Sequence, residues 1–382
     1  NSNHTKHDIY CIGDFSNAGI ISLIGQDNYE LIEIMKDNYK IIADYCKKYT
    51  IDYVFIGPEK PLNDGLVDYL VSFDIKCIGP SKMYAQIETD KSYARQLMNK
   101  FNLSKYNPTV FDSQILNNNS SMDSSMDHII NNNINIGVDL GLESNMRDVI
   151  DDINKNTMDI NMDGNLINND TSNRYSNFVI NNGMRNNNHF QNTNINFNRL
   201  KTFYENSIKK LNYDYVIKPI GLCSGKGVKV FQDHFTSHGE GLLYCSELLN
   251  NGMNFLIEER LVGKEFSLLS FCDGKTLIHM PPLMDFKRAY NNNMGPNTGS
   301  MGCISYADHS LPFLNEVDLK EAESINESVI SALNNDINQN IKSNYEIYYQ
   351  MAKDGFRGVL YGSYILTKKG LKVIEFNARF GD

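Results

Sequence analysis

The sequence predicts an α/β fold that becomes α+β in its second half, and three observations lead to that prediction. Short apolar runs alternate with helical spacing over the first ninety residues, which is typical of a parallel α/β domain. Strand pairs joined by glycine turns dominate the second half, which is typical of antiparallel sheets packed on helices. An asparagine-rich stretch without periodicity, over about residues 114–199, separates the two parts.

The first predicted domain spans residues 1–88. Its strands at residues 51–56 and 76–78 each stop at a Gly-Pro pair. Ligands bind beyond the carboxyl ends of parallel strands, so residues 57–59 and 79–81 are candidate pocket edges, with ordinary turns as the other interpretation. The remaining predicted elements are a strand at 9–13, a helix at 29–49 that buries Leu31, Ile34, Ile41, Ile42 and Tyr45, and a helix at 62–72.

Residues 81–101 have helical spacing, and Asp90 in the middle of this stretch is a residue type that caps the start of a helix. We therefore predict two helices that separate at Asp90. Lys91 and Arg95 lie on the second of them. Further helices are predicted at 203–211, 241–249, 315–333 and 345–353, and further strands at 109–111, 215–218, 228–231, 254–261, 265–271, 276–280, 358–366 and 371–377.

Asparagine, serine, aspartate and methionine dominate residues 114–199, and a shorter asparagine-rich patch follows residue 333. Polar tracts of this kind bury too little apolar surface to offset the entropy lost on ordering. We therefore expect disordered insertions within a folded domain.

Composition narrows the class of protein. The 382 residues carry a formal net charge of -10, which argues against a general nucleic-acid or anionic-membrane binder but not against a local basic pocket. Seven cysteines without Cys-x-x-Cys spacing favour free thiols in a reducing compartment. Because no apolar run reaches transmembrane length and no signal-peptide pattern is present, we expect a soluble cytoplasmic protein.

A glycine-rich hairpin after Lys218 is the first candidate for a phosphate site. It contains Gly221, Gly225 and Gly227, and Lys226 adds a second positive charge. Glycines let a backbone approach a ligand closely, and turned N–H groups can surround phosphate oxygens. On its own, such a hairpin is more often an ordinary turn.

The last predicted strand ends in Glu375-Phe376-Asn377, and strand alternation places Glu375 and Asn377 on one face. A carboxylate and an amide oxygen side by side suit Mg²⁺, with nucleotide phosphates completing the octahedron. A solvated strand end is the other interpretation. Arg379, just beyond, could hold a phosphoryl oxygen or a carboxylate.

Other segments could contact a nucleotide or an anion. Backbone groups near Glu258 and Glu259 could contact an adenine edge, and Glu265 could accept hydrogen bonds from ribose hydroxyls, although plain surface charge is the other interpretation. Lys287 comes before a glycine-rich loop at residues 295–302, whose N–H groups could bind an anion.

These segments fall in the order found in the glycinamide ribonucleotide synthetase (phosphoribosylamine–glycine ligase) family of ATP-grasp enzymes. The chain resembles that family over nearly everything outside the asparagine-rich stretches. The matches at G-P-N-T-G (295–299) and E-F-N-x-R-F-G-D (375–382) are the most specific, because most other ATP-grasp families lack them. The other matching segments are residues 57–62, 79–82, 216–218, 221–222, 225–227, 256–259, 287–290 and 373–374.

The resemblance implies a two-lobed ATP-grasp domain at residues 89–382, with a small lobe at about 108–260 that the insertion interrupts. It implies a ligase that phosphorylates the carboxylate of glycine with ATP to give glycyl phosphate. The amine of 5-phosphoribosylamine then attacks, which yields glycinamide ribonucleotide, ADP and phosphate. Such small-molecule substrates imply neither a nucleic-acid nor a membrane partner, and the chain could be fused to other purine-pathway domains.

The same resemblance implies roles for individual residues, none of them a nucleophile, since such catalysis is positioning and charge neutralisation. The phosphates of ATP would be held by Lys91, Lys218, Gly225, Lys226 and Gly227. The adenine would be surrounded by Glu258, Glu259 and Leu261, and the ribose would be bound by Glu265. The metal ion, Mg²⁺ or Mn²⁺, would be held by Glu375 and Asn377, and glycine and the acyl phosphate would be oriented by Lys287, Asn297, Thr298 and Arg379.

The chain also departs from the family's pattern. Ile220 replaces an aspartate, Phe286 a histidine and Ser300 a glycine. We expect the family's opening strand, with its G-N-G-G-R-E-H loop, and its C-terminal domain to be absent from this chain. Two alternatives therefore stay open, namely another ATP-grasp carboxylate–amine ligase and a nucleotide-binding module without turnover.

Overall fold

The structure, a computed structural model, describes residues 8–117, 197–222, 227–340, 351 and 353–381. Most of the large insertion, Gly225 and Lys226, and most of the helix predicted at 345–353 lie outside these residues. The described residues belong to one compact unit of the chain.

The N-terminal region contains two small parallel sheets with short helices packed around them. β1 pairs with β2 and β3 pairs with β4, both in parallel, as the α/β pattern predicts. The elements are β1 (Cys11–Gly13), α1 (Ala18–Ile24), β2 (Tyr29–Leu31), α2 (Tyr39–Lys48), β3 (Val54–Phe55), α3 (Glu59–Asp64), α4 (Leu66–Val71) and β4 (Cys77–Ile78).

The helix predicted over residues 29–49 is wrong in its first ten residues. Tyr29 begins β2, a short turn follows at Lys36–Asn38, and the helix itself begins at Tyr39. Of the residues expected to be buried, Leu31 is 61% exposed, because pairing with β1 overrides the local helical spacing. Ile41 is 52% exposed, whereas its neighbour Ile42 lies in the core.

Two helices follow β4, and they separate where the sequence predicts. α5 (Lys82–Thr89) and α6 (Lys91–Lys100) meet at Asp90, whose side chain accepts a hydrogen bond from the Tyr93 N–H at 3.0 Å. α5 contributes to two apolar cores at once. Ala85 packs into the N-terminal core, and Tyr84 packs into the core of the C-terminal sheet.

The first of two larger sheets is antiparallel, in the order β5-β8-β6-β7. Of the helices described in this region, α8 lies against β6 and against α7, and α7 packs on the sheet through the ring contacts of Phe203 with Phe255 and of Tyr204 with Tyr215. The insertion is shorter than predicted at both ends, because residues 114–117 form a helical turn and residues 197–199 begin α7. The elements are β5 (Val110–Asp112), α7 (Phe197–Lys210), β6 (Tyr215–Pro219), β7 (Lys229–Val230), α8 (His238–Asn250) and β8 (Phe255–Glu259).

The second larger sheet is also antiparallel, in the order β10-β9-β15-β16, and a long helix covers one of its faces. Leu268, Tyr364 and Phe376 form the core with that helix. Two short hairpin-like pairs, β11 with β14 and β12 with β13, lie between β10 and the helix in sequence. The elements are β9 (Gly263–Asp273), β10 (Leu277–His279), β11 (Met284–Asp285), β12 (Arg288–Tyr290), β13 (Met294–Asn297), β14 (Cys303–Ile304), α9 (Glu316–Asn340), β15 (Arg357–Thr367) and β16 (Gly370–Asn377).

The described residues can be compared with two expectations from composition, one about membrane-spanning helices and one about free cysteines. In these ranges no helix combines the length and the apolar character that crossing a bilayer needs. Six cysteines lie in the same ranges, and all six are free thiols.

Candidate active site

The face of the C-terminal sheet that points away from α9 carries the predicted metal ligands. The register aligns Ser267, Ser363 and Glu375 across β9, β15 and β16. Since residues i and i+2 share a face, Asn377 lies on the side of Glu375, and Phe376 between them points into the core, where it is 2% exposed. Both oxygen donors therefore face away from the core.

A β-bulge lies immediately before Glu375. Tyr364 pairs with Val373 and Ser363 pairs with Glu375, so Ile374 has no cross-strand partner. The carbonyl oxygen of Ile374 instead accepts hydrogen bonds from side chains of other elements. Nη2 of Arg95 donates to it at 2.6 Å, and Nζ of Lys218 donates at 3.5 Å.

Lys218, at the end of β6, belongs to a buried cluster of charges. Its Nζ lies 2.6 Å from Oε2 of Glu258, and Nε of Arg95 lies 2.8 Å from Oε1. Glu258 is only 1% exposed. Burial alone would raise the pKa of the Glu258 carboxyl, but the charges of Arg95 and Lys218 lower this pKa to about 2. Glu258 is thus a buried counterion, and its interpretation as plain surface charge is wrong.

The segment predicted to surround adenine is partly occupied by contacts within the protein. The backbone of Glu258 lies in a strand that is paired on both sides, with Val110 and Val216 opposite it. The N–H of Glu259 donates to the Thr109 carbonyl, and its side chain accepts from the Thr109 N–H, both at 2.9 Å. Leu261 is partly buried and lies beyond the last paired residue of β8. Contact of these residues with adenine stays a prediction.

The glycine loop that follows Lys218 is bonded to a helix at each of its ends, at Gly221 and at Gly227. Nζ of Lys91, on α6, donates to the Gly221 carbonyl at 3.3 Å. The hydroxyl of Tyr244, on α8, donates to the Gly227 carbonyl at 2.7 Å. Lys91 therefore lies beside the same loop as Lys218, although more than a hundred residues separate the two in sequence.

Lys287 lies among carboxylates. Its burial opposes the charged form, but Glu375, and more weakly Glu265 and Asp285, raise the pKa of Lys287 above its ordinary value. Glu265, at the start of β9, is exposed. Lys287 therefore lies within electrostatic range of Glu375 and Glu265, which the sequence assigned to metal and ribose.

The loop after Lys287 folds back onto it. The N–H and the hydroxyl of Thr298 both donate to the Lys287 carbonyl, at 2.7 and 2.9 Å. Asn297 pairs with Arg288 in the hairpin of β12 and β13, and its side chain lies outside the described atoms. The roles of Asn297 and Thr298 in glycine binding stay predictions.

Residues that depart from the family's pattern fit this structure. The hydroxyl of Ser300 donates to Oδ1 of Asp285 at 2.6 Å and accepts from the Gly302 N–H at 3.0 Å. Phe286, where the resemblance leads us to expect a histidine, is 44% exposed. The Ile220 N–H donates to the Asn254 carbonyl at 2.8 Å, so the backbone of Ile220 is tied to the segment before β8.

Arg379 connects the end of β16 to the N-terminal region. Its Nε lies 3.0 Å from Oε2 of Glu59 and 3.2 Å from Oε1 of Glu88. The Ala378 N–H donates to Oε2 of Glu88 at 2.8 Å. Burial raises the pKa of Glu88 to about 7, although Arg379 acts in the opposite direction. The predicted pocket edge at Glu59 thus lies beside the predicted site residue Arg379.

Two charged residues of this site received no role from the sequence. Arg95 lies one turn after Lys91, so helical spacing alone places the two on one face of α6. Glu88 lies four residues after the buried Tyr84, and this spacing predicts burial of a carboxylate that needs a partner.

Comparison with known proteins identifies the domains of the chain. Residues 1–88 match the N domain of phosphoribosylglycinamide synthetase, and residues 171–382 match its ATP-grasp (A) domain. The phosphoribosylamine–glycine ligases of Methanocorpusculum labreanum and Methanococcus maripaludis are 30% and 29% identical, over 96% and 98% of this chain. The chain spans 63% and 62% of the length of these two relatives.

A solved structure supports the fold. The phosphoribosylamine–glycine ligase of Thermotoga maritima gives a TM-score of 0.54 at 18% identity, with 96% of this chain and 62% of that chain covered. The predicted combination of an N-terminal α/β region with an ATP-grasp domain is confirmed. Because the match to the ATP-grasp (A) domain alone covers more than half of the 382 residues, the chain belongs to the phosphoribosylglycinamide synthetase family.

Proposed function

We propose that this chain contributes the ATP site and the glycine-activating centre of a phosphoribosylamine–glycine ligase of de novo purine biosynthesis. The observation that carries the proposal is the meeting of predicted site residues at the end of β16. Nζ of Lys218 donates to the Ile374 carbonyl, and Glu375 raises the pKa of Lys287. Arg379 lies four residues after Glu375 and pairs with Glu59. The proposed reaction takes place in the cytoplasm and uses small-molecule substrates.

The proposed nucleotide site begins at the glycine loop. Nζ of Lys91 bonds the Gly221 carbonyl, and Lys218 lies three residues before Gly221, so two ammonium groups would meet the phosphates of ATP. Gly225, Lys226 and Gly227 would hold the same phosphates. The adenine would contact the chain around Glu259 and Leu261, where β8 ends, and Glu265 would accept from the ribose.

The donor set at the end of β16 fits a divalent cation bound together with phosphates. Within the described ranges, no group of three His, Cys, Asp or Glu side chains could hold a metal ion. Glu375 and Asn377 supply two hard oxygen donors from one face, which leaves the other positions of an octahedral Mg²⁺ or Mn²⁺ for phosphate oxygens and water. When bound, the cation would neutralise charge that develops between the β- and γ-phosphates.

The proposed chemistry has two displacements. An oxygen of the glycine carboxylate attacks the γ-phosphorus of ATP, the bond from that phosphorus to the bridging oxygen breaks, and ADP leaves. The amine of 5-phosphoribosylamine then attacks the carbonyl carbon of glycyl phosphate, loses a proton, and phosphate leaves. Lys287, Asn297, Thr298 and Arg379 would hold the carboxylate and the transferring phosphoryl group in line, so that orientation and fixed charge supply the catalysis.

The test is ADP release that depends on both glycine and 5-phosphoribosylamine, measured on the protein that contains this chain. We expect Glu375→Ala to lower Mg²⁺-dependent ADP release by about 100-fold or more, because it removes a charged metal ligand. The circular dichroism spectrum should stay unchanged. Glu205→Ala, which removes a carboxylate that is 57% exposed, is the matched control with normal activity.

The outcomes separate the alternatives. ADP release with a different amine would identify another carboxylate–amine ligase. Intact ATP binding without any ADP release would identify a nucleotide-binding module and contradict the proposal. Normal activity of the Glu375→Ala protein would remove Glu375 from the metal site.

A further inference from the structure

We propose that Arg95 is a positioning residue that sets the geometry of two parts of the proposed ATP site at once. It holds Glu258 against Lys218, and it holds the β-bulge that orients Glu375. Its guanidinium donors are taken up by acceptors on Glu258, Asn107 and the bulge, so it would act through Lys218 and Glu375. The inference rests on the proposed function, and the experiment below separates the failure of one from the failure of the other.

The guanidinium group of Arg95 is fully used inside the protein. Its side chain is 7% exposed, and a guanidinium has five N–H donors. Nε and Nη2 donate to the two carboxylate oxygens of Glu258 at 2.8 and 3.3 Å. Nη2 also donates to the Ile374 carbonyl at 2.6 Å. Nη1 donates to Oδ1 of Asn107 and to the Val373 carbonyl, both at 3.3 Å. Five donors thus meet five acceptors, which lie on the strands β8 and β16 and, at Asn107, on the segment before β5.

The first consequence concerns Lys218. Arg95 holds the Glu258 carboxylate by both oxygens, and this fixes the oxygen that lies 2.6 Å from Nζ of Lys218. In the described part of the chain, Glu258 and the Ile374 carbonyl take two of the three ammonium donors of Lys218. The third donor then has a defined direction in which it can meet a phosphate oxygen.

The second consequence concerns Glu375. β16 is the edge strand of its sheet, and without Arg95 the carbonyl of Ile374 at the bulge would keep only the 3.5 Å contact with Nζ of Lys218. A change of one residue in strand register turns every following side chain to the opposite face. By bonding both carbonyls, Arg95 stabilises the bulged register, which keeps Glu375 on the site face and Phe376 in the core.

Lysine cannot reproduce this arrangement. An ammonium group is a point charge with three donors, whereas these contacts need the planar fork of arginine. Arg95→Lys therefore keeps the charge next to Glu258 and loses the bridge to the bulge, which makes it the informative substitution.

The experiment measures three constants on the protein that contains this chain: the Kd of ATP by calorimetry without metal, the Mg²⁺ concentration for half-maximal activity, and the KM for glycine. We expect Arg95→Lys to raise the Kd of ATP and the Mg²⁺ constant by about tenfold each and to leave the KM for glycine within about twofold. We expect Glu258→Gln to raise the Kd of ATP and to leave the Mg²⁺ constant near normal, because Arg95 still bonds the bulge. Arg357→Lys is the matched control, since Arg357 is 54% exposed and its Nη1 lies 3.5 Å from Oδ2 of Asp354.

The measured constants test the inference about Arg95 separately from the proposed function. Arg95→Lys with a normal Mg²⁺ constant, or with all three constants changed equally, contradicts the inference while the proposed function stands. A natural protein that binds no ATP contradicts the proposed function itself. If Arg95→Lys fails to fold, Asn107→Ala removes one acceptor of Nη1, and a rise of about threefold in the same two constants is then the expected result.

Discussion

At the scale of single residues, two buried glutamates near β16 differ in the direction of their pKa shifts. Glu258 has two cations against its carboxylate, and although burial opposes the charge, its pKa falls to about 2. Glu88 shares the single guanidinium of Arg379 with a second carboxylate, and burial raises its pKa to about 7. The number of cations per carboxylate therefore decides whether desolvation or attraction dominates.

Glu88 gives a prediction for stability as a function of pH. Its pKa rises from an ordinary value of 4.5 to about 7 on folding, so the folded state binds more protons between these values. The contribution of Glu88 to the free energy of unfolding should therefore be largest below pH 4.5 and fall, by up to about 3 kcal/mol, as the pH rises through 7. Glu88→Gln should flatten this part of the profile measured by urea unfolding.

The control for that profile is Glu205→Gln, at an exposed carboxylate in a helical ion pair with Lys201. It should keep the natural pH dependence. Equal slopes for the natural protein and Glu88→Gln between pH 5 and 8 would contradict the assignment.

Some of these residues could be predicted and others could not. The common face of Glu375 and Asn377 follows from strand alternation, and the cap at Asp90 follows from local chemistry. The contact of Arg95 with Glu258 joins residues 163 positions apart. It depends on the order of strands in the sheet, which no local pattern specifies.

At the scale of elements, the glycine hairpin is supported from outside its own strands. Lys91 on α6 bonds the start of the loop, and Tyr244 on α8 bonds its end. The ammonium of Lys229, in strand β7, also lies over the ring of Tyr244, 3.7 Å from the ring centroid. The position of α8 is therefore coupled to the position of the proposed phosphate loop.

Tyr244→Phe tests that coupling. It keeps the ring and the cation–π contact but removes the hydroxyl that donates to the Gly227 carbonyl at 2.7 Å. We expect the Kd of ATP to rise about threefold to tenfold, as one hydrogen bond that orients the loop is lost. Tyr53→Phe, at a tyrosine that is 59% exposed, should leave the Kd unchanged. An unchanged Kd in the Tyr244→Phe protein would mean that the loop needs no support from α8.

Element lengths show where local preferences lose to packing. Asparagine is a weak helix former, so the sequence predicts that the long helix ends near residue 333, yet α9 continues to Asn340. Its last turns are held by partners on α6, where Lys100 and Tyr93 both bond Asp336. Ile337 is buried beside them. These contacts are tertiary, so no window of sequence contains them.

At the scale of the whole molecule, the N-terminal region and the C-terminal sheet share an interior. α5 has Ala85 in one core and Tyr84 in the other. The backbones also touch, since a Cβ added at Gly358 of β15 would lie 3.1 Å from the Gly79 Cα and 3.2 Å from Cδ of Pro80. The predicted pocket edge at Gly79 is therefore also a packing surface, a second use that sequence periodicity cannot reveal.

This shared interior predicts that the two regions unfold together. The chain has no tryptophan, so Phe73→Trp, at a position that is 40% exposed, gives a fluorescent reporter confined to the N-terminal region. The urea transition seen by this fluorescence should coincide with the transition seen by far-ultraviolet circular dichroism, as expected for one cooperative unit.

Gly358→Ala should lower the free energy of unfolding, as measured by either signal, by about 2 kcal/mol or more, because the φ of +135° at Gly358 and the contact with Gly79 both disfavour a side chain. Gly370→Ala, with a φ of +103° and open space around the added Cβ, isolates the backbone strain and should cost less. A fluorescence transition that comes at lower urea than the dichroism transition would show that the N-terminal region unfolds independently.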